Sequence, residues 1–267
     1  LRFTAARALH ERVQVRPHQK QHPSRQFFPF PSRLPPDAMG LTILPALIPD
    51  IPKVYDAYFG AFKGSVILDI LFPTGIDEAF REGHTKHTVD YWHKTSTQYT
   101  IKCVDAETGE IVGMALWDVF LKERTPEEYR SPGAVWLQGE ERARADELIN
   151  PLNEAKEKIW GGRKYVYCHV IAVKPEHQRR GAGALLTKWG LDMAELAGLP
   201  VYLESSEEGF GLYKRLGFEV LKEKIVHRAG LVGAEKDVEV PLMVKMPSAA
   251  KGLSFEEWRA QGYPPLK

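Results

Sequence analysis

Residues 173–186, VKPEHQRRGAGALL, combine the residue types that bind phosphate groups. Gly181 and Gly183 lack side chains at points where a backbone could approach a ligand closely. Arg179 and Arg180 add positive charge beside them. The residues that follow predict a helix, whose first amide groups and dipole favour an anion at its amino end. The segment therefore predicts a phosphate or pyrophosphate site.

Two common phosphate-binding motifs do not fit this segment. A P-loop continues from its last glycine with lysine and then serine or threonine, whereas Gly183 is followed by Ala184 and Leu185. A dinucleotide-binding turn carries a third glycine at the position of Leu186. Both motifs are therefore excluded. A basic turn that caps an ordinary helix is the simplest alternative to a binding site.

Residues 178–183, QRRGAG, follow a predicted strand and a turn at Pro175. This arrangement resembles the pyrophosphate loop of the GNAT superfamily, the Gcn5-related N-acetyltransferases. The resemblance covers about residues 40–247 and is strongest at 166–218. It implies acetyl-CoA as cosubstrate. The residues that it implies for acetyl-CoA binding are Ile171, Val173, Gln178, Arg179, Arg180, Gly181, Ala182, Gly183, Ala184, Ser206 and Tyr213.

The strand at 164–173, KYVYCHVIAV, comes directly before this loop. In GNAT enzymes the corresponding strand carries a bulge and splays from its neighbour, which leaves backbone amides for the pantetheine arm and the thioester carbonyl. The resemblance implies that Ile171 and Val173 contact acetyl-CoA through backbone atoms. A normal, fully paired strand is the alternative.

Tyr213 lies in the sequence LYKRLGF, which resembles the GNAT helix whose tyrosine faces the sulfur of CoA. Amine attack on a thioester expels a thiolate, and a nearby phenol can protonate it. The alternative is a core aromatic residue. Ser206, at the end of the preceding strand, is either a contact to the CoA arm or the cap of the next helix.

The general base is less clearly defined. Some GNAT enzymes use a glutamate on the strand before the loop, but this chain has Tyr167 there. His169 shares the strand face of Tyr167 and matches a histidine position in arylalkylamine N-acetyltransferases. An imidazole with a pKa near ~6.5 can accept the amine proton. Glu204, Asp118 and ordered water are competing candidates, and His169 could simply pack beside the cofactor.

Other reactive side chains have structural explanations. His84, His87 and His93 are expected on a solvated helix face, because no acidic or cysteine partner completes a metal site, so no metal is predicted. Cys168 is expected as a small core residue on the strand face opposite His169. A further set of aromatic residues suggests an apolar acceptor: Tyr91, Trp92, Trp117 and Trp136.

The elements that must position these residues follow from hydrophobic periodicity and turn signals. We predict, in chain order, a strand at 41–47, helices at 50–62 and 77–95, a hairpin over 97–105 and 110–120, an amphipathic helix within 121–160, a strand at 164–173, a helix at 184–197, a strand at 200–206, a short helix at 210–216, a hairpin over 219–228 and 238–246, and a helix that begins at Ser254. In the 184–197 helix, the predicted apolar face runs from Leu185 to Leu196.

Composition limits the possible classes of protein. The chain has 267 residues, of which 43% are hydrophobic, which suits one domain with insertions. The net charge is +1, and residues 41–267 are slightly acidic, so nothing favours nucleic-acid binding. The sequence contains no run of 18 apolar residues, so no membrane span is predicted. Two cysteines suggest a reducing compartment, such as the cytoplasm, and leave the nucleus and mitochondria open.

Residues 1–39 differ from the rest in being proline-rich and basic. We predict a disordered or irregular extension. Two other readings are a mitochondrial transit peptide and a natural start at Met39. The remaining chain divides into an N-acetyltransferase domain at 40–247, with an insertion at 121–160, and a tail with a short helix at 248–267.

The sequence therefore predicts an α/β (α+β) protein of the GNAT fold, with a mixed sheet of about seven strands flanked by helices. The predicted activity is transfer of an acetyl group from acetyl-CoA to the primary amine of a small molecule by direct attack. Acetylation of a protein lysine or N-terminus is the alternative activity. A non-catalytic acyl-CoA-binding module is the alternative from another class. The oligomeric state is left open.

Overall fold

The computed structural model describes residues 40–266, and the predictions for residues 1–39 lie outside that part. One seven-stranded sheet runs through it in the order β1-β2-β3-β4-β5-β7-β6. Neighbouring strands are antiparallel except for β4 and β5, which are parallel. The strands are β1 (Leu41–Pro45), β2 (Gln98–Asp105), β3 (Ile111–Phe120), β4 (Tyr165–Val173), β5 (Val201–Glu204), β6 (Glu219–His227) and β7 (Val238–Lys245). The mixed sheet confirms the predicted fold class.

Helices cover both faces of the sheet. They are α1 (Ile51–Ala61), α2 (Val66–Leu71), α3 (Glu78–Lys94), α4 (Pro126–Tyr129), α5 (Gly139–Trp160), α6 (Ala182–Ala197), α7 (Glu207–Arg215), α8 (Ala229–Val232) and α9 (Phe255–Ala260). Within residues 40–266, none of these helices combines the length and the apolar character needed to cross a membrane. Every residue of β3 is buried, as expected for a central strand covered on both sides.

The two faces of the sheet have separate cores. The first face, which we call the α6 face, packs against α6 and includes Leu186, Trp117 and Tyr213. The opposite face packs against α1–α3 at one end and against α5 and α9 at the other. Phe255 and Trp258 of α9 are 0% and 5% exposed and belong to this second core. The predicted tail is therefore part of the folded unit.

The buried face of α6 differs from the predicted one. Leu196 is 85% exposed. The residues that the helix buries are Ala182, Leu186, Thr187, Gly190 and Ala194. A side chain at Gly190 would overlap the ring of Trp117, so the helix approaches β3 through small residues. The leucine pattern alone could not indicate this, because the contact is decided by a tryptophan on another element.

The N-terminal helices also differ from prediction in two respects. The six-residue helix α2, capped by Ser65, was not predicted. His84 was expected in solvent but is 6% exposed. Its ring lies edge-on to Tyr55, at 4.2 Å between centroids, and it also contacts Phe59 and Phe80. Aromatic residues of α1 and α3 enclose it, and the sequence of α3 alone does not show that neighbourhood.

Candidate active site

The strands β4 and β5 separate within the sheet. Their parallel register joins Val166 to Val201 and Tyr167 to Tyr202, and it does not continue beyond these pairs. From Cys168 onward, β4 stays paired with β3 on its other side. The backbone of β4 that faces β5 therefore has no strand partner there. This is the splayed strand that the resemblance implied, rather than the fully paired alternative.

The bulge in β4 lies at His169. Leu116 of β3 pairs with Val170, whereas the next residue, Trp117, pairs with Cys168. His169 is thus the extra residue. An extra residue reverses the alternation of side chains along a strand. Accordingly Cys168 before the bulge, and Ile171 and Val173 after it, all contribute to the core on the α6 face.

The predicted pyrophosphate loop leads directly into α6. Arg179 has φ 62° and Gly181 has φ 87°, so both adopt the left-handed conformation. Left-handed residues within a loop turn successive amides in the same direction, which is the geometry that receives an anion. The first amides of α6, from Ala182 to Ala184, have no acceptor within the helix. Gln178 donates from Nε2 to the carbonyl of Val173 at 3.3 Å.

Arg180 is held by protein groups rather than projecting from the loop. Its guanidinium donates to Oδ2 of Asp105 at 2.7 Å and lies 2.8 Å from Nδ1 of His177. The hydrogen bond from Arg180 lowers the pKa of Asp105. Asp105 ends β2, so this ion pair fixes the loop to the β2–β3 hairpin. Direct contact of either Arg179 or Arg180 with phosphate stays a prediction.

Tyr213 is positioned by the start of α7. Ser206 is the N-cap, and its Oγ accepts from the amide of Gly209 at 3.2 Å. A Cβ on Gly209 would lie 2.8 Å from the Tyr213 ring, so glycine is needed there. Ser206 is thus a helix cap, as one of the two readings held, and its contact with CoA stays a prediction.

Tyr213 keeps its proton at neutral pH. It is 9% exposed, and its ring packs on Phe218 at 5.6 Å. Burial raises the pKa of Tyr213 above its ordinary value, and the nearby thiol of Cys168 adds to the rise. Cys168 itself is buried and free, with a raised pKa, as expected for a core residue. The raised pKa keeps the hydroxyl protonated and available as a donor toward a leaving thiolate, although it also makes the phenol a weaker acid, and it excludes a role as a base.

His169 faces Asp118 on the opposite side of the sheet from Tyr213. Its Nε2 lies 2.7 Å from Oδ2 of Asp118, and the two side chains are 7% and 4% exposed. Oδ1 of Asp118 accepts from the hydroxyl of Thr97 at 2.9 Å. Burial lowers the pKa of His169 to about 4, against the opposing effect of Asp118. The imidazole is therefore neutral at pH 7 and can accept a proton, with Asp118 to stabilise the resulting charge.

A second polar group lies beside this pair. The hydroxyl of Tyr167 donates to Oε2 of Glu204 at 2.9 Å. Nζ of Lys156 donates to the same hydroxyl at 3.3 Å and lies 4.4 Å from the centre of the ring. The rings of Tyr167 and His169 are 4.4 Å apart. Tyr167 occupies the strand position at which some members of the family have a glutamate. Its hydroxyl binds Glu204 of β5, so a carboxylate lies near that position.

Sequence reasoning missed Lys156 and the pairing of Asp118 with His169. Lys156 was not singled out in the predicted amphipathic helix within 121–160, yet it is 6% exposed. Its position between Leu152 and Ile159 on the apolar face was a detectable signal, because a lysine there must be buried with a partner. Asp118 was considered as a rival base. The structure instead makes it the hydrogen-bond partner of His169.

The aromatic residues proposed for the acceptor side do not form one wall. Trp117 is 0% exposed and lies against Gly190 and Trp189, so it belongs to the core of the α6 face. The acceptor hypothesis is therefore wrong for this residue. Trp136 donates from Nε1 to the carbonyl of Leu71 at 3.1 Å, which ties the insertion to α2.

One cluster has the ligand types of a metal site. Oxygen and nitrogen atoms of Glu110, Glu176 and His177 lie within 4.8 Å of one another. Lys174 donates to Glu110 at 2.6 Å, which satisfies one of these carboxylate oxygens already. The cluster lies before the pyrophosphate loop, away from His169. The arrangement is explained by ion pairing.

Comparison with known proteins gives a family match. A profile described as "Acetyltransferase (GNAT) family" matches residues 67–218. That range includes both strands of the split, the QRRGAG loop and Tyr213.

A relative described as "Probable acyltransferase SID5", from Ajellomyces capsulatus, is 35% identical over 143 residues, which cover 54% of this chain and 99% of that protein.

Two solved structures share the fold. A polyamine N-acetyltransferase of Drosophila melanogaster gives a TM-score of 0.54 at 13% identity, covering 77% of this chain and 99% of that one. An acetyltransferase of Corynebacterium glutamicum is described as histone acetyltransferase HPA2 and related acetyltransferase. It gives a TM-score of 0.50 at 24% identity, covering 78% of this chain and 97% of that one.

Proposed function

This chain belongs to the acetyltransferase (GNAT) family, and we propose that it transfers an acetyl group from acetyl-CoA to the primary amine of a small molecule. The observation that carries the proposal is the split between β4 and β5. The anion-binding loop and Tyr213 lie toward α6 and α7, whereas His169 and Asp118 lie on the other face of the sheet. A thioester held in the split would meet an amine that enters from the His169 side.

Each proposed step uses a group already described. The amine nitrogen attacks the thioester carbonyl carbon, and a C–N bond forms. His169 accepts the proton that the nitrogen loses, and Asp118 stabilises the imidazolium. The C–S bond then breaks, and the thiolate takes a proton from the Tyr213 hydroxyl. Tyr213 regains a proton from solvent, and His169 releases its proton to solvent. Unpaired amides of β4 would stabilise the charge on the carbonyl oxygen.

A small acceptor is favoured over a protein segment by the insertion at 121–160. Helix α5 from this insertion places Lys156 against Tyr167, next to His169, so part of the insertion lies on the side from which the amine would enter. The Drosophila melanogaster enzyme that shares the fold catalyses formation of N-acetylagmatine, the product of a small amine.

The test is release of free thiol from acetyl-CoA with a panel of arylalkylamines, polyamines, aminoglycosides and lysine peptides. We expect release with one class of small amine, together with the acetylated product by mass spectrometry. Release with peptides alone would replace the small acceptor by a protein acceptor. Tight binding of acetyl-CoA by calorimetry, without release for any amine, would indicate a binding module.

A further inference from the structure

Lys156 is a buried charge on the apolar face of a helix. It is 6% exposed in α5, one turn before the fully buried Trp160. Burying an ammonium group costs several kcal/mol unless it is paired, and a leucine or methionine would fill the same space without that cost. Stability therefore does not explain a lysine here. Its contribution must be its charge or its hydrogen bonds.

Those hydrogen bonds order a chain of side chains that ends at His169. The ammonium group donates to the Tyr167 oxygen at 3.3 Å, which leaves the Tyr167 proton to be donated to Glu204 at 2.9 Å. The ring is held from both sides through its hydroxyl. His169 packs on that ring at 4.4 Å, with its Nε2 held by Asp118.

We infer that Lys156 is a positioning residue for acyl transfer: it fixes the Tyr167 ring through the Tyr167–Glu204 hydrogen bond, and this ring holds His169 in place. The inference rests on the proposed function and assigns the insertion a part in it. Lys156 does not touch the reacting atoms.

The charges around this group support the inference. Burial raises the pKa of Glu204, and Lys156 opposes the rise. Lys156 also lowers the pKa of His169, in the same direction as burial. The titratable groups that act on Glu204 or His169 are Lys156 on α5, Asp118 on β3, Tyr167 on β4 and Tyr202 on β5. Among them, Lys156 supplies the positive charge.

The first experiment compares the Lys156→Met and Lys158→Met variants. Lys158 lies on the same helix and is exposed, so it is a matched control. With the best acceptor amine, Lys156→Met should lower kcat about 10- to 100-fold with KM changed less than about threefold, because positioning acts on the chemical step. Lys158→Met should match the wild type. An unchanged kcat in Lys156→Met would overturn the inference.

A double variant tests whether Lys156 and Glu204 act together. Lys156→Met/Glu204→Gln removes both buried charges and leaves an amide oxygen to accept from Tyr167. Because Lys156 acts through Glu204, the double variant should lose no more activity than Lys156→Met alone. Losses that multiply would show that the two residues act independently and would overturn the inference.

A readout independent of turnover keeps the inference distinct from the proposed function. NMR of histidine-labelled protein, with the His169 signal assigned from a His169→Gln spectrum, is recorded from pH 8 to pH 5. The wild type and Lys158→Met should keep His169 neutral down to pH 5, whereas Lys156→Met should begin to protonate it within this pH range. Identical titrations would overturn the inference even in a protein without detectable turnover. Absence of turnover in the wild type with every amine tested would instead refute the proposed function.

Discussion

His169 occupies the bulge of β4 and lies 2.7 Å, through Nε2, from Oδ2 of Asp118 on the neighbouring strand. The bulge inserts His169 as an extra residue between the pairs formed by Cys168 and Val170. With Asp118 ionised, Nε2 carries the proton and Nδ1 retains its lone pair. The geometry thus fixes both the orientation and the tautomer of the proposed base.

Replacing His169 by glutamine should lower kcat/KM about 10²- to 10⁴-fold at pH 7.5, because no side chain then accepts the amine proton. Steady-state thiol release measures this effect. Binding of acetyl-CoA, followed by calorimetry, should remain within about threefold of the wild type. A variant with wild-type kcat/KM would show that solvent, rather than His169, accepts the proton.

Tyr213→Phe should lower kcat about 10- to 100-fold without a comparable change in the dissociation constant of acetyl-CoA. The raised pKa of Tyr213 keeps the phenol protonated, so the hydroxyl is available to the departing thiolate. The control is Tyr99→Phe, since Tyr99 is 37% exposed on β2. Full turnover by Tyr213→Phe at saturating substrate would contradict the acid role.

Asp105→Asn should weaken acetyl-CoA binding about three- to tenfold. Asparagine cannot pair ionically with Arg180, so the loop loses its attachment to the β2–β3 hairpin and must be ordered by the ligand. Calorimetry on the free enzyme measures this change. Asp192→Asn, which removes the ion pair with Lys188 on the surface of α6, should leave the affinity unchanged. Equal effects of the two substitutions would argue against a specific role for Asp105.

Gly190→Ala should destabilise the protein by about 1–3 kcal/mol, because its Cβ would overlap the Trp117 ring. Denaturant unfolding measures this change. Gly60→Ala in α1 is the matched control. No heavy atom lies within 4 Å of the Cβ position there, so a gain of about 0.5–1 kcal/mol is expected. Equal stability of the Gly190 variant and the wild type would require the α6–β3 contact to be looser than the structure shows.

The free energy of unfolding should fall as the pH is lowered from about 6.5 toward 4. Burial lowers the pKa of both His84 and His169 to about 4, whereas an unfolded histidine titrates near ~6.5. Between these values the unfolded chain binds more protons, so each residue contributes up to about 1.4 kcal/mol per pH unit. His84→Gln should reduce the slope of unfolding free energy against pH by up to about 1.4 kcal/mol per pH unit, the contribution of one proton.

The local elements could be predicted from sequence because their signals are local. Strand alternation, the glycines of the QRRGAG loop and the capping residues each act within a few residues of the chain. The bulge and the splay of β4 were implied by the resemblance, and the structure shows both. The roles of Tyr213, His169 and the loop residues stay predictions that the experiments above test.

The sequence did not reveal contacts between distant elements. The buried face of α6 depends on Trp117, and the burial of His84 depends on aromatic residues of α1. The pairing of His169 with Asp118 needs the register between β3 and β4, which shifts at the bulge. Lys156 contacts Tyr167 from the insertion, and the sequence of the insertion does not show where its helix packs on the sheet. In each case the deciding neighbour lies elsewhere in the chain.

The position of α9 has a consequence for synthesis on the ribosome. Phe255 and Trp258 complete the core around Trp160, and β7 is inserted between β5 and β6. While these residues remain in the exit tunnel, β5 lacks its antiparallel neighbour, and Trp160 and Tyr202 lack their cover. The nascent chain therefore exposes a strand edge and several aromatic rings until Phe255 and Trp258 have left the exit tunnel, and chaperones can protect it during that period.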